Sequence, residues 1–285
     1  MIKKAVVLCG GLATRFLPYC KSIPKEMLPV VDKPVIEYII EDLVNAGIEE
    51  ILIVLGRNKE CIINHFDKNI ELYDRLISTK KWSELESVQR LDRLAKICYI
   101  RQITPRGTGD AIMKARSWVG DEPFLMCFGD EMFIKSNVYK ELIEAYNQYG
   151  NMTIATMPVD EKLISLYGIV SRVGNEQYYP IEQFVEKPKI EDAPSNIAYC
   201  GPAILTNQIF DYIQRTPEIN FEISLADAYN YAIKDNNLFG YIVSGEKLDL
   251  GNKLGFVKSN ITMAVNNDNM RDCILDILAE YRINK

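Results

Sequence analysis

Between residues 10 and 34 the chain gathers glycine, arginine, lysine and proline in a pattern suited to a phosphate ligand. Gly10 and Gly11 follow an apolar run at 5–9 and let the backbone approach a ligand closely. Arg15 supplies a planar donor fork that matches phosphate oxygens. Lys25 adds a point charge, and Pro18, Pro24 and Pro29 stiffen the path between them. The segment is not a Walker A loop, because no G-K-[ST] follows. It is not a dinucleotide fingerprint either, because the third glycine is missing. Two glycines after a strand make an ordinary turn; Arg15 and Lys25 in the same loop shift the reading to polyphosphate binding.

Four further segments carry candidate chemistry. Gln102 precedes Gly107, Gly109 and Asp110 in a strand–turn–helix connection. Its amide offers donor and acceptor together, which suits a pyrimidine edge, and the glycines admit a flat base. Asp110 reads as the helix cap. Asp130 follows the apolar run 124–128, where a carboxylate is placed to hold a magnesium ion shared with a phosphate; Asp249 is a second candidate for that ion. Glu186 and Lys187 end another apolar run. As surface they are a solvated pair; as a site they set a carboxylate on sugar hydroxyls and an ammonium on a phosphate. Gly168, after Tyr167, leaves room for a sugar ring.

The elements that must position these groups alternate between strand and helix. Strands are expected at 5–9, 51–55, 97–101, 124–128 and 152–157, and helices at 34–46, 110–118 and 138–149. Val35, Ile36, Ile39, Ile40, Leu43 and Val44 share one helical face, with Asp32 near the cap and Gly47 past the end. Strand, crossover helix, strand implies right-handed parallel connections. Residues 67–96 are charged and read as a helical insertion. Strands with turns follow at 167–172, 181–185 and 197–205, then helices at 209–214, 222–233, 250–264 and 268–281. The expected fold is α/β with a mixed, mainly parallel sheet and a β-rich elaboration. Ligands of such sheets sit at the carboxyl ends of strands, where the first glycine loop stands.

The 285 residues are 48% hydrophobic and 25% charged, with a net charge of −6. That is enough apolar material for one sizeable core, and it gives no basic field for nucleic acid. The seven cysteines form no C-x-x-C pair and His65 is the single histidine, so a zinc site is not expected. Scattered free cysteines suit a reducing cytoplasm. No apolar run is long enough for a membrane span. Neither nucleic acid nor a membrane is expected as a partner.

Taken in chain order, these segments resemble the bacterial UTP–glucose-1-phosphate uridylyltransferases of the nucleotidyltransferase family. The likeness runs through Gly11-Leu-Ala-Thr-Arg15-Phe-Leu-Pro and Lys21-Ser-Ile-Pro-Lys25-Glu26-Met-Leu-Pro. It continues in Asn64-His65-Phe66-Asp67, Pro105-Arg-Gly107-Thr-Gly109-Asp110, Tyr167-Gly168-Ile-Val, Glu186-Lys187-Pro188 and Asp249-Leu-Gly251-Asn-Lys-Leu-Gly255. The resemblance implies a Rossmann-like three-layer α/β/α nucleotidyltransferase fold. It implies a catalytic domain over 1–265 and a docking or oligomerisation helix over 266–285. The implied reaction is uridylyl transfer from UTP to glucose 1-phosphate, giving UDP-glucose and pyrophosphate with Mg2+, in a homodimer or homotetramer.

Carried over residue by residue, Gly10, Gly11, Leu12, Glu26, Gln102 and Gly107 would hold the nucleotide. Arg15 would hold its β- and γ-phosphates, Lys25 its α-phosphate, and Asp130 and Asp249 the magnesium. Gly168 and Glu186 would hold the sugar and Lys187 its phosphate, with Arg15, Lys25 and Lys187 as the catalytic cations. The chain departs from the family wording at Ala13, where members usually carry glycine, and at Gly201-Pro202-Ala203, where they carry G-R-Y. The alternatives are another sugar 1-phosphate or nucleoside triphosphate, and a nucleotide-sugar sensor without turnover.

Overall fold

The computed structural model describes residues 2–283. Among them, nine strands form one sheet: β1 (Lys4–Cys9), β2 (Glu50–Leu55), β3 (Lys96–Arg101), β4 (Phe124–Phe128), β5 (Thr153–Pro158), β6 (Gly168–Arg172), β7 (Tyr178–Glu186), β8 (Ile197–Leu205) and β9 (Phe239–Ile242). Their order across the sheet is β3-β2-β1-β4-β8-β5-β9-β7-β6. The sheet is mixed, and its two halves differ. Strands β3, β2, β1 and β4 run parallel, as their crossover helices require. Strand β8 then runs antiparallel to β4 and β5, and β7 antiparallel to β9 and β6, while β5 and β9 are parallel.

Alternation along each strand builds a three-layer body. Ala5, Val7, Ile51, Ile53, Leu125 and Cys127 face one core with Ile36, Ile39, Ile40 and Leu43 of the Val35–Asn45 helix and Leu142 of the Val138–Tyr149 helix. Val6, Leu8, Leu52, Val54, Phe124 and Met126 face the other, against Ile112, Ile209, Phe210, Ala228 and Tyr229. Side chains at i and i+2 share a face, so one apolar run feeds both cores. The charged insertion folds as helices Ile70–Ser78 and Trp82–Gln89 around Tyr73, Leu76 and Leu85.

Some local expectations shift. Asp32 accepts from the Tyr38 hydroxyl at 3.3 Å and does not cap the Val35–Asn45 helix. The helix expected at 110–118 is two pieces, Gly107–Met113 and Arg116–Val119. Strand β9 lacked a sequence signal, being four residues with Gly240 inside. Pro202 is tolerated within β8 because the register shifts between Tyr199 and Ala203, so no ladder hydrogen bond is lost there. The Lys253–Asn266 and Arg271–Ile283 helices pack together at the end of the chain. No helix among the described residues is long and apolar enough to cross a membrane.

Candidate active site

The site is assembled where the parallel strands β1 and β4 end side by side. Beyond β1 the chain makes short 3-10 turns at Thr14–Phe16 and Lys25–Met27. Ala13 enters the first turn at φ 52°, ψ 40°. That left-handed conformation suits glycine better than alanine, since a Cβ there costs roughly 1–2 kcal/mol. Phe16 then turns inward and meets the Phe256 ring edge-on, with centroids 5.9 Å apart. This anchor leaves Arg15 exposed, with no ion pair among the described residues.

Lys25 and Asp130 come together because their strands are neighbours. Lys25 Nζ lies 2.5 Å from Asp130 Oδ2. Burial alone would lower the Lys25 ammonium, but the charges of Asp130 and Glu26 outweigh it and hold the group above its ordinary value. Lys25 is therefore a permanent cation at neutral pH. Asp249 sits in an exposed turn, its Oδ1 accepting from Gly251 N at 3.1 Å and its Oδ2 from Asn252 Nδ2 at 2.5 Å.

A cleft of about 1590 Å³ collects much of the expected site. Arg15, Asp130, Gly168, Glu186, Lys187 and Asp249 all line it. They come from five separate segments. Gly10, Gly11, Leu12, Lys25, Glu26, Gln102 and Gly107 are not in that lining. Most of them form an adjoining cluster: a Cβ on Gly11 would lie 3.2 Å from Lys25 Nζ, and one on Gly10 would lie 2.9 Å from Gln102 Oε1. Leu12 is 72% exposed.

Four assignments change when the side chains are followed. Glu26, expected beside the nucleotide, is fully buried and paired with Lys59 at 2.6 Å. It supports the loop from behind and offers no surface to a ligand. Asp110 is not a cap; Arg106 occupies that position. Asp110 instead accepts from Gln102 Nε2 at 2.8 Å. Gly107, at φ 83°, has Glu222 and Ile223 packed where its side chain would go, so the room left by its missing Cβ is taken by protein. Gly168 likewise faces the Phe184 ring and the Glu186 carboxylate. The space it frees is already filled by side chains. His65, read as part of a structural helix, pairs with Glu37 at 2.9 Å.

One feature escaped the sequence reading. Lys247 Nζ donates to Glu131 Oε1 at 2.7 Å and to the Cys200 carbonyl at 3.0 Å, beneath the Tyr167 ring. Gly201, at φ 118°, provides the room: a Cβ there would overlap the Glu131 carboxylate. The available signal was Lys247-Leu-Asp249, since extended chain sets residues two apart on one face.

Among the described residues no three His, Cys, Asp or Glu side chains cluster as a metal site. Magnesium does not need such a cage. It takes one or two carboxylates and completes its shell with substrate phosphates and water. Asp130 and Asp249 on one cleft fit that donor set.

A mixed sheet between helical layers, with cations and two carboxylates at the strand ends, is the arrangement of a nucleotide-handling transferase. Residues 4–265 match the nucleotidyl transferase family model, and the chain belongs to that family. It is 42% identical to a UTP–glucose-1-phosphate uridylyltransferase of Staphylococcus saprophyticus, across 99% of each chain. Among solved structures it is similar to a UTP-bound UGPase from Acinetobacter baumannii, at a TM-score of 0.92 and 33% identity, covering 98% of this chain and 99% of that one. A UDP-glucose pyrophosphorylase complexed with UDP-glucose gives a TM-score of 0.84 at 34% identity, covering 94% and 100%.

Proposed function

We propose that this protein transfers a uridylyl group from UTP to glucose 1-phosphate, giving UDP-glucose and pyrophosphate. The observation that carries the reading is the convergence of Arg15, Asp130, Asp249 and Lys187 on one cleft from distant parts of the chain. The UTP and UDP-glucose bound by its relatives support the choice of substrates.

The reaction needs no general base, because the sugar phosphate is already an anion. Its oxygen attacks the α-phosphorus in line, a new P–O bond forms, and the bond to the β-phosphate oxygen breaks. The barrier is repulsion between anions and charge growing on the leaving group. Positioning and fixed positive charge lower it. Lys25 serves the α-phosphate, Arg15 the departing β- and γ-phosphates, and Lys187 the sugar phosphate, with Glu186 on the sugar hydroxyls. Magnesium, held by Asp130 and Asp249, supplies further charge neutralisation when bound. The 1–265 body is the catalytic domain, and the segment after it, whose described part holds the Arg271–Ile283 helix, docks another copy in a homodimer or homotetramer; residues 284–285 of the expected helix lie outside the described residues. The free cysteines suit a cytoplasmic enzyme.

Pyrophosphate release across a panel of nucleoside triphosphates and sugar 1-phosphates tests this. The expected result is fastest release from UTP with glucose 1-phosphate. Faster release from another pair would change the substrates, and no release from any pair would make the protein a sensor. Asp130→Asn is expected to lose magnesium-supported turnover; unchanged activity across a magnesium titration contradicts its role.

A further inference from the structure

Both amide hydrogens of Gln102 are engaged inside the protein. Nε2 donates to Asp110 Oδ2 at 2.8 Å and to the Gly107 carbonyl at 3.2 Å. A turned amide would set its oxygen against a carboxylate and a carbonyl, two acceptors, so repulsion forbids it. The other amide atom, Oε1, accepts no hydrogen bond among the described residues. It faces Gly10, where any side chain would cover it.

Asp110 is held as firmly as it holds. It is 2% exposed. Its Oδ1 meets Arg106 at 2.9 Å and Lys114 at 3.2 Å. Burial alone would raise this carboxyl, but hydrogen bonds from Gln102, Arg106 and Lys114 outweigh it and keep it below its ordinary range. The group is thus an anion, an acceptor only.

We infer that Asp110 is a positioning residue that sets base selectivity. By locking Gln102 it presents an acceptor alone to the base. That matches the ring N3–H of uracil and opposes the N3 lone pair of cytosine. The inference rests on the proposed UTP-dependent function and on the family resemblance, which sets the nucleotide base against Gln102.

Calorimetric titration of UTP and CTP into the intact protein tests it, with Asp110→Asn and Gln102→Ala as variants. In Asp110→Asn the two cations claim the single remaining oxygen. The new amide N–H then faces Gln102, which turns and presents Nε2. The expected result is a UTP-to-CTP affinity ratio lowered at least about tenfold, since unpaired polar groups are what reject a wrong partner. Asp110→Ala, which frees the amide without adding a donor, should give an intermediate ratio and serves if the asparagine variant does not fold. Gln102→Ala should flatten the ratio. A flattened ratio in Gln102→Ala with an unchanged ratio in both Asp110 variants overturns the lock alone. Unchanged ratios in all three overturn the placement of the base, and the lock with it. A merely structural Asp110 would weaken both nucleotides equally.

Discussion

Glu26 and Glu131 begin alike and end in different surroundings. Each follows a candidate site residue, Lys25 or Asp130. Each pairs with a lysine far along the chain, Lys59 at 2.6 Å or Lys247 at 2.7 Å. Each also keeps one buried carboxylate oxygen without a partner, Oε1 in Glu26 and Oε2 in Glu131. Yet the Glu26 and Lys59 side chains are 0% and 6% exposed and lie behind the phosphate loop. Those of Glu131 and Lys247 are 22% and 12% exposed and line the cleft. The same device supports the site from outside in one place and borders it in the other.

Local geometry accounts for the difference. In a 3-10 turn successive side chains point about 120° apart, so Lys25 faces the site while Glu26 faces the core. Glu131 instead turns toward Gly201, which leaves space for it. Its partner Lys247 stands two residues before Asp249. The pair therefore ties the Asp130 segment to the Asp249 segment, as does the short antiparallel pairing of Phe133–Ile134 with Glu246–Lys247.

The largest effect that would sharpen this contrast is on stability. Lys59→Met strands a fully buried carboxylate and should cost about 3–5 kcal/mol in urea denaturation, with the magnesium requirement of turnover unchanged. A loss below about 1 kcal/mol would deny that the pair supports the loop. The deficit should depend on pH. Burial raises the Glu26 carboxyl above 4.5 despite Lys59, so the folded state binds a proton more readily than the unfolded one. The stability this confers is full below about 4.5 and is lost as pH rises through the folded value. Without Lys59 that value rises further. The variant should therefore approach wild type in acid and fall furthest behind near neutrality; an equal deficit at every pH contradicts the assignment.

Lys247→Met should cost less, about 2 kcal/mol, because its pair is partly wet. Unlike Lys59→Met, it should raise the magnesium concentration needed for half-maximal turnover. Equal magnesium requirements in the two variants would erase the distinction between supporting and bordering pairs. Smallest is Ala13→Gly, outside both pairs. Relief of the left-handed strain should exceed the added chain entropy by at most about 1 kcal/mol, read as a small rise in Tm.

Much of the frame was legible in the sequence. The strands at 124–128 and 197–205 and the helix at 138–149 have the expected bounds, because their apolar spacing is unambiguous. β9 was not, since Gly240 reads as a turn; the structure shows the Tyr179 ring occupying the space its side chain would need. Arg15 stood out as a cation in the glycine loop, Asp130 and Lys187 as charges at strand ends and Asp249 only as a second candidate carboxylate; all four line the cleft. Asp110 was misread because a cap and a buried acceptor look alike before the helix start is known. Lys59 left no pattern, as a lone lysine takes its meaning from a partner dozens of residues away, and Lys247 left only its two-residue spacing from Asp249.

The most direct test of the whole account is steady-state kinetics of Lys25→Ala with UTP and glucose 1-phosphate. The account expects kcat to fall by the equivalent of about 3–4 kcal/mol, with the KM for UTP moving only a few-fold. A kcat within a few-fold of wild type would contradict the claim that fixed cations at the strand ends carry the transfer.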